Sequence, residues 1–245
     1  MATAGDRRGP GPERAYAPDL PSGVGEVVLS PEESHHLVRV RRVRPEDPVV
    51  LFDGAGGSVL GQLVEAVPGR AVVAVEGPYP DREPTRPLVL AVSLPEPGRS
   101  DDLVASLAEL GVARLVPLLA ARTPRGRDAL PARRRERWGR IAREAAKVNG
   151  CSRLLRIEPV ARFDAVVAEA PAACVLDPDP EVPRLASVLP AHGDLPWLLV
   201  GPEGGFTDDE VASAERAGAL RVRLGPLALR TSTAAIAAAA LTLGS

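Results

Sequence analysis

The stretch Trp197-Leu198-Leu199-Val200, running directly into Gly201-Pro202-Glu203-Gly204-Gly205-Phe206, reads as a buried strand that spills into a glycine-rich loop. A second apolar run ends in Leu224-Gly225-Pro226 and is followed by Leu229-Arg230-Thr231-Ser232-Thr233, which opens an alanine-rich helix. Two strand ends that each pass into a Gly-Pro loop predict an open α/β sheet with a ligand crevice at the carboxyl ends of its strands. The helix after the first loop is well specified. Thr207 suits the N-cap, Glu210 completes a capping box three residues on, Phe206 can staple onto Val211, and Gly218 ends the helix.

The loop residues themselves suit a bound molecule. Three glycines let backbone groups approach a ligand and permit positive φ, while Pro202 stiffens the path. The spacing is neither that of a dinucleotide fingerprint nor that of a P-loop, and no nucleophile elbow is present. The residues alone therefore define a crevice between two loops, with Glu203 and Arg230 as charged groups and Thr231 as a hydroxyl.

Working upstream, Leu88-Val89-Leu90-Ala91-Val92 predicts a strand buried on both faces. A helix is expected from Asp101-Asp102, with Leu103, Val104, Leu107 and Leu110 at helical spacing and Gly111 as its stop. Leu115 to Leu119 forms the next strand, so the unit is βαβ and the sheet parallel. From Arg122 to Lys147 ten basic residues face three acidic ones. Trp138, Ile141, Ala142 and Ala145 form an apolar stripe in this segment, which leaves a cationic surface fit for RNA or other phosphates and puts Trp138 in the core. Further helices are expected around Val166-Val167 and from Pro183 to Leu189, and a strand from Ala172 to Leu176. His192 falls in a polar turn and receives no role.

The amino-terminal part has a different texture. Short apolar runs at 27–29, 49–52, 59–64 and 71–75, with Asp53-Gly54 and Pro68-Gly69 as turns, predict a small all-β barrel or sandwich. Ser30 followed by Pro31 starts a short helix through Ser34, His35, His36 and Leu37. The two histidines lack partners at metal-ligand spacing, so a structural or RNA-facing role is expected of them. Arg39, Arg41, Arg42 and Arg44, interleaved with valines, would put cations on one face while the valines pack inward; both a phosphate contact and a solvated face are open to them. Residues 1–14 read as a disordered tail, residues 15–80 as the β domain, and residues 86–245 as the α/β domain. A proline-rich linker around Pro78 to Pro87 separates the two domains.

Composition sets the remaining bounds. Among 245 residues 45% are hydrophobic, and the formal net charge is −2, so any affinity for nucleic acid must come from local clusters. Cys151 and Cys174 form no zinc or disulfide pattern, and no metal site is expected. No apolar run is long enough to span a bilayer and no secretory leader is legible, so no membrane partner and a cytoplasmic location are expected.

Four strings, GPEGGFTDDE (201–210), LGPLALRTSTA (224–234), AELGVARLVPLLAAR (108–122) and REAAKVNG (143–150), resemble the RsmE family. These are uridine-N3 methyltransferases of small-subunit (16S) ribosomal RNA within the SPOUT class. Residues 14–77, with HHLVRVRRVR (35–44) and FDGAGG (52–57), resemble that family's PUA-like β-barrel. The resemblance implies an α/β fold with a SPOUT-type parallel sheet, a C-terminal deep trefoil knot that binds S-adenosyl-L-methionine, and a homodimer with a shared active site. Carried over by position, it makes Val200, Gly201, Glu203, Gly204 and Gly205 one wall of the cofactor pocket. Leu224, Gly225, Leu229, Arg230 and Thr231 become the other wall.

Arg230 is then the candidate for stabilising charge on the uracil carbonyls, and Glu203 a candidate base. Arg39, Arg41, Arg42, Arg44, Arg122, Arg133, Arg137 and Arg140 are the candidates for contact with ribosomal RNA or the assembled small subunit. Glu144 and Arg153 are further polar candidates near the site. The chain departs from the family pattern at Ser106, Ala121, Val148, Cys151, Leu227 and Ser232, where family members often carry Lys, Glu, Gln, Arg, Arg and Glu. Those departures motivate the competing reading of a non-catalytic RNA-binding factor with the same fold. A nucleotide-processing α/β enzyme is a third reading.

Overall fold

The computed structural model describes residues 11–67, 69–80, 84, 86–189 and 197–244. Most of the expected tail, the linker residues 81–83, Pro68 and His192 lie outside the described residues. The chain divides into two compact units, residues 1–82 with 150–153, and residues 83–149 with 154–245.

Among the described residues of the first unit five strands, β1 (Glu13–Tyr16), β2 (Gly25–Val28), β3 (Pro48–Phe52), β4 (Ser58–Val67) and β5 (Arg70–Pro78), form one sheet in the order β1-β3-β4-β5-β2. The pairs β3–β4, β4–β5 and β2–β5 are antiparallel, whereas β1 runs parallel to β3. Inward residues such as Val27, Val49, Leu51, Leu63 and Val73 build its core. The expected cap of α1 (Pro31–His35) is present: Ser30 Oγ accepts from Glu33 N at 3.2 Å, with Pro31 in the first turn. Buried Ser34 is satisfied on both sides, donating to Leu29 O at 3.2 Å and accepting from Ala71 N at 2.9 Å.

The arginine run departs from expectation. A π-helical turn over His36–Val40 breaks the alternation, so Val43 is buried while Val40 is 59% exposed, and Arg42 adopts φ 58°. The Asp53-Gly54 turn forms as expected, with Asp53 Oδ1 accepting from the backbone N–H of Ala55, Gly56 and Gly57 at 2.7, 3.0 and 2.9 Å. Residues 150–153 belong with this unit through Arg14, whose Nη2 donates to Cys151 O at 3.2 Å and Ser152 Oγ at 2.8 Å.

Among the described residues the second unit holds a seven-stranded sheet. It contains β6 (Val89–Val92), β7 (Arg114–Leu119), β8 (Arg156–Ile157), β9 (Ala161–Arg162), β10 (Cys174–Leu176), β11 (Trp197–Val200) and β12 (Leu220–Val222). The order is β12-β10-β11-β6-β7-β8, with β9 also on β7, and every pair is parallel. Alternate residues of β6 serve opposite faces. Leu90 and Val92 join the core under α2 (Pro97–Glu109), α3 (Ala132–Asn149) and α7 (Thr231–Leu243), whereas Val89 and Ala91 join that under α4 (Phe163–Glu169) and α6 (Asp208–Ala217). A short helix, α5 (Leu185–Val188), precedes β11.

Helix α2 begins earlier than Asp101. Pro97 takes the first turn after Glu96, and Ser100 Oγ donates back to Pro95 O at 2.9 Å. Asp101 is thereby released for a tertiary task, accepting from Trp138 Nε1 at 2.6 Å and pairing with Arg137 at 2.9 Å. Trp138 is fully buried in the core, where its apolar stripe places it.

Candidate functional site

At the carboxyl ends of β10, β11 and β12 the two Gly-Pro loops and the start of α7 enclose a cavity of about 260 Å3. Nine of the ten residues expected there line it: Val200, Gly201, Glu203, Gly204, Gly205, Leu224, Gly225, Leu229 and Thr231. Arg230 is not among them; it is the exposed N-cap residue of α7. Sequence reading missed Asp177, Pro178 and Arg223, which line the same cavity from the turn after β10 and the end of β12. The visible signal was Asp177-Pro178 directly after the strand expected from Ala172 to Leu176, since the strand ends on this edge of a parallel sheet face the crevice. Asp177 is held by Arg221 Nη2 at 3.0 Å and by its own turn, where Asp179 N donates to Oδ1 at 2.9 Å.

The first loop is fixed at several points. Gly205, at φ 70°, donates to Pro202 O at 2.8 Å. The Thr231 hydroxyl donates to Gly201 O at 3.0 Å, so its proton is spent on the loop. The ring of Phe206 lies against Phe163, with centroids 5.0 Å apart, and beneath Gly201, where an added Cβ would come within 3.3 Å of it. The capping box is complete. Thr207 Oγ1 accepts from Glu210 N at 3.2 Å, and Glu210 Oε2 accepts from Thr207 N at 2.9 Å. The exposed Glu203 makes no hydrogen bond or ion pair among the described residues, so its carboxylate does not organise the loop.

The cavity joins apolar walls to backbone polar groups, the lining expected of a small-molecule site. Leu176, Val200, Leu224, Leu227 and Leu229 supply apolar walls, and the glycine backbone supplies donors and acceptors. A Cβ at Gly225 would meet no protein atom within 4 Å, so a side chain there would occupy cavity space rather than packed interior. A larger basin of about 900 Å3 lies beside the end of β7, lined by Arg125, Arg127, Asp164, Asp209 and Glu210 among others. Its mixed charges define no single ligand chemistry.

The expected RNA-facing arginines fall into two groups. Arg39, Arg42, Arg44, Arg133 and Arg140 are exposed and make no ion pair among the described residues. Arg41 Nε sits 2.6 Å from Glu13, Arg137 pairs with Asp101, and the Arg122 guanidinium is engaged on backbone carbonyls. Glu144 holds Lys147 at 2.8 Å, while Arg153 belongs to the first unit, bridged to Gly54 and Ala55.

A parallel sheet whose strand ends open on a glycine-walled cavity, joined to a small β unit bearing cations, matches known proteins along its length. Residues 81–243 match the RNA methyltransferase domain family, and residues 29–76 the RNA methyltransferase PUA domain family. The class is thus an RNA methyltransferase with a PUA domain.

The ribosomal RNA small subunit methyltransferase E of Mycobacterium bovis is 35% identical over 237 residues, 91% of this chain and 88% of that protein. The chain belongs to the ribosomal RNA small subunit methyltransferase E (RsmE) family. The crystal structure of the Neisseria gonorrhoeae member bound to S-adenosyl methionine superposes with a TM-score of 0.83 at 28% identity, covering 94% of this chain and 96% of that one. A Legionella pneumophila putative methyltransferase in complex with the bound cofactor SAM gives 0.80 at 26% identity, covering 95% and 97%.

Proposed function

We propose that this protein transfers the methyl group of S-adenosyl-L-methionine to N3 of a uridine in small-subunit (16S) ribosomal RNA. The observation that carries the reading is the convergence of both glycine loops on one cavity at the strand ends, in a member of a family with donor-bound relatives. Val200, Gly201, Gly204, Gly205, Leu224, Gly225, Leu229 and Thr231 would hold the donor, whose sulfonium supplies an electrophilic methyl group when bound.

The residues of the chain then have separate tasks. Apolar walls and the Gly201 to Gly205 backbone orient the ligand and exclude water from one side, and such positioning can supply a large share of the barrier reduction. The uracil imide is protonated at neutral pH, so its N3 proton must be taken up or the developing anion stabilised. Glu203, exposed at the cavity and without a hydrogen-bond partner among the described residues, is the candidate base. Arg230, exposed beside Thr231, is the candidate cation for the uracil oxygens. N3 lies on the pairing edge, so the uridine is taken up unpaired or flipped.

Several finer features belong to the same reading. Strand β12 lies on the far side of β10 from β11, while α7 returns to pack on β11 and β6, a path that supports a deep trefoil knot. The five-stranded sheet of the first unit supports a PUA-like barrel over about residues 15–80, with the methyltransferase domain over 86–245. Helix α7 is apolar around its whole circumference yet leaves Leu241 40% exposed, which supports burial in a homodimer. No helix among the described residues is long and apolar enough to cross a membrane, and a cytoplasmic site of action with ribosomal RNA or the small subunit as partner follows from the proposed substrate.

The test is incubation of the purified protein with radiolabelled donor and either free 16S RNA or small subunits, followed by mass mapping of the product. A methyl group on uridine N3 is expected. Donor binding and transfer both absent would instead favour a non-catalytic RNA-binding factor.

A further inference from the structure

We propose that Arg122 is a positioning residue of the donor cavity, a strut that holds the Gly201 to Phe206 loop from outside the cavity. Arg122 does not line the cavity. Its Nη1 donates to two carbonyls of the loop, Gly204 O at 2.7 Å and Phe206 O at 3.1 Å. Its aliphatic stem covers Gly204 so closely that an added Cβ there would sit 3.4 Å from Arg122 Cδ. With Gly205 in the left-handed region, the loop backbone belongs to no regular ladder, and Arg122 supplies both of these carbonyls with a donor from elsewhere in the chain.

The strut itself rests on fixed ground. Next to it, Ala121 N donates to Glu210 Oε1 at 2.7 Å, so the segment leaving β7 grips both the loop and the helix cap that follows it. Thr123 Oγ1 accepts from Ala120 N at 2.9 Å and shares a hydrogen bond with Ser93 Oγ at 2.8 Å. Ser93 N in turn donates to Val200 O at 2.9 Å, at the last residue of β11. The bonds close a circuit from the end of β11 through Ser93, Thr123 and Arg122 back to the loop that β11 launches. A charge-assisted donor on a neutral carbonyl is among the stronger contacts available to an exposed side chain. It acts on the ligand only through Gly204, Gly205 and Phe206, so the role is positioning rather than catalytic.

This rests on reading the cavity as the donor site, and the experiment separates the two. Calorimetry with S-adenosyl-L-methionine on wild-type protein, Arg122→Ala and Arg122→Lys is combined with binding of a 16S RNA fragment at several salt concentrations. The expected result is donor affinity about fivefold to tenfold weaker in Arg122→Ala. Arg122→Lys recovers part of the loss, because it keeps the charge and a donor while ending one bond short of the guanidinium nitrogen that now reaches both carbonyls. The donor KM should rise with kcat changed much less, and the salt slope of RNA binding should be unaltered. Unchanged donor affinity, with RNA binding weakened and the slope reduced by about one, would make Arg122 a phosphate contact and overturn the proposal. Absence of donor binding by the wild-type chain would overturn the reading of the cavity and this proposal with it.

Discussion

Thr231 is the residue whose replacement tests the architecture of the site most directly, because its two functional parts can be removed one at a time. The side chain is 4% exposed at the first turn of α7, and its hydroxyl donates to Gly201 O at 3.0 Å across 30 residues of sequence. Thr231→Val keeps the branched shape and deletes the hydrogen bond. Net loss of such a bond is about 1 kcal/mol, towards the lower end here because Gly201 is only half-buried and its carbonyl can regain water. Thr231→Ser keeps the hydroxyl and deletes a buried methyl, which by area transfer is also about 0.8 kcal/mol.

Stability alone therefore does not distinguish the two variants, and both should lower the urea midpoint of the second unit by similar amounts. Tryptophan fluorescence reports that unit selectively, since Trp138 and Trp197 are the only tryptophans and both belong to it. Donor affinity does distinguish them. Thr231→Val releases the first residue of the glycine loop and should weaken S-adenosyl-L-methionine binding by about fivefold, the equivalent of about 1 kcal/mol, while Thr231→Ser stays within about twofold of wild type. Equal donor losses in the two variants, or none in the valine variant, would refute the hydroxyl as an anchor of the loop.

Gly61→Ala should destabilise the first unit by about 2 kcal/mol or more, since the new Cβ would lie 2.4 Å from the Ala74 carbonyl oxygen and 2.8 Å from Val73 Cγ1. Hydrogen exchange in β4 and β5 should rise while tryptophan fluorescence stays unchanged. Burial pushes the Cys174 thiol up to about 11, so iodoacetamide at pH 8 should label it only after unfolding. The sign for stability follows, because the folded state holds this proton more tightly than the unfolded one. The contribution is intact below the ordinary thiol range and is lost as pH rises towards about 11, which urea midpoints against pH will show. Replacing Arg39, Arg42 and Arg44 together by alanine should flatten the salt dependence of RNA binding by about 2 in log–log slope, and Arg41→Ala by less, because Glu13 already holds its Nε at 2.6 Å.

The parts of the fold legible in the sequence are those set by neighbours along the chain. The Thr207 to Glu210 capping box, the Ser30 cap and the unbroken apolar runs of β6 and β11 are specified within a few residues, and each formed as expected. Where a local reading competed with a distant partner, the distant partner won. Asp101 looked like a helix start because an acidic pair precedes an apolar stripe, yet Pro97 could open the helix a turn earlier, and the carboxylate was better used on the indole N–H of a buried tryptophan 37 residues away.

Arg122 sits in the most basic stretch of the chain and read as one more phosphate contact. Its guanidinium instead donates to carbonyls 82 and 84 residues later, a contact that no local window of sequence shows. The same logic explains why the cavity walls were only partly foreseen. Glycines advertise themselves because few other features require them, whereas Asp177 and Arg223 reach the cavity only because β10 lies between β11 and β12 in the sheet. Strand order is a long-range property that no window of sequence contains. The Gly-Pro loops thus announced a cavity at the strand ends, while its breadth was set by topology.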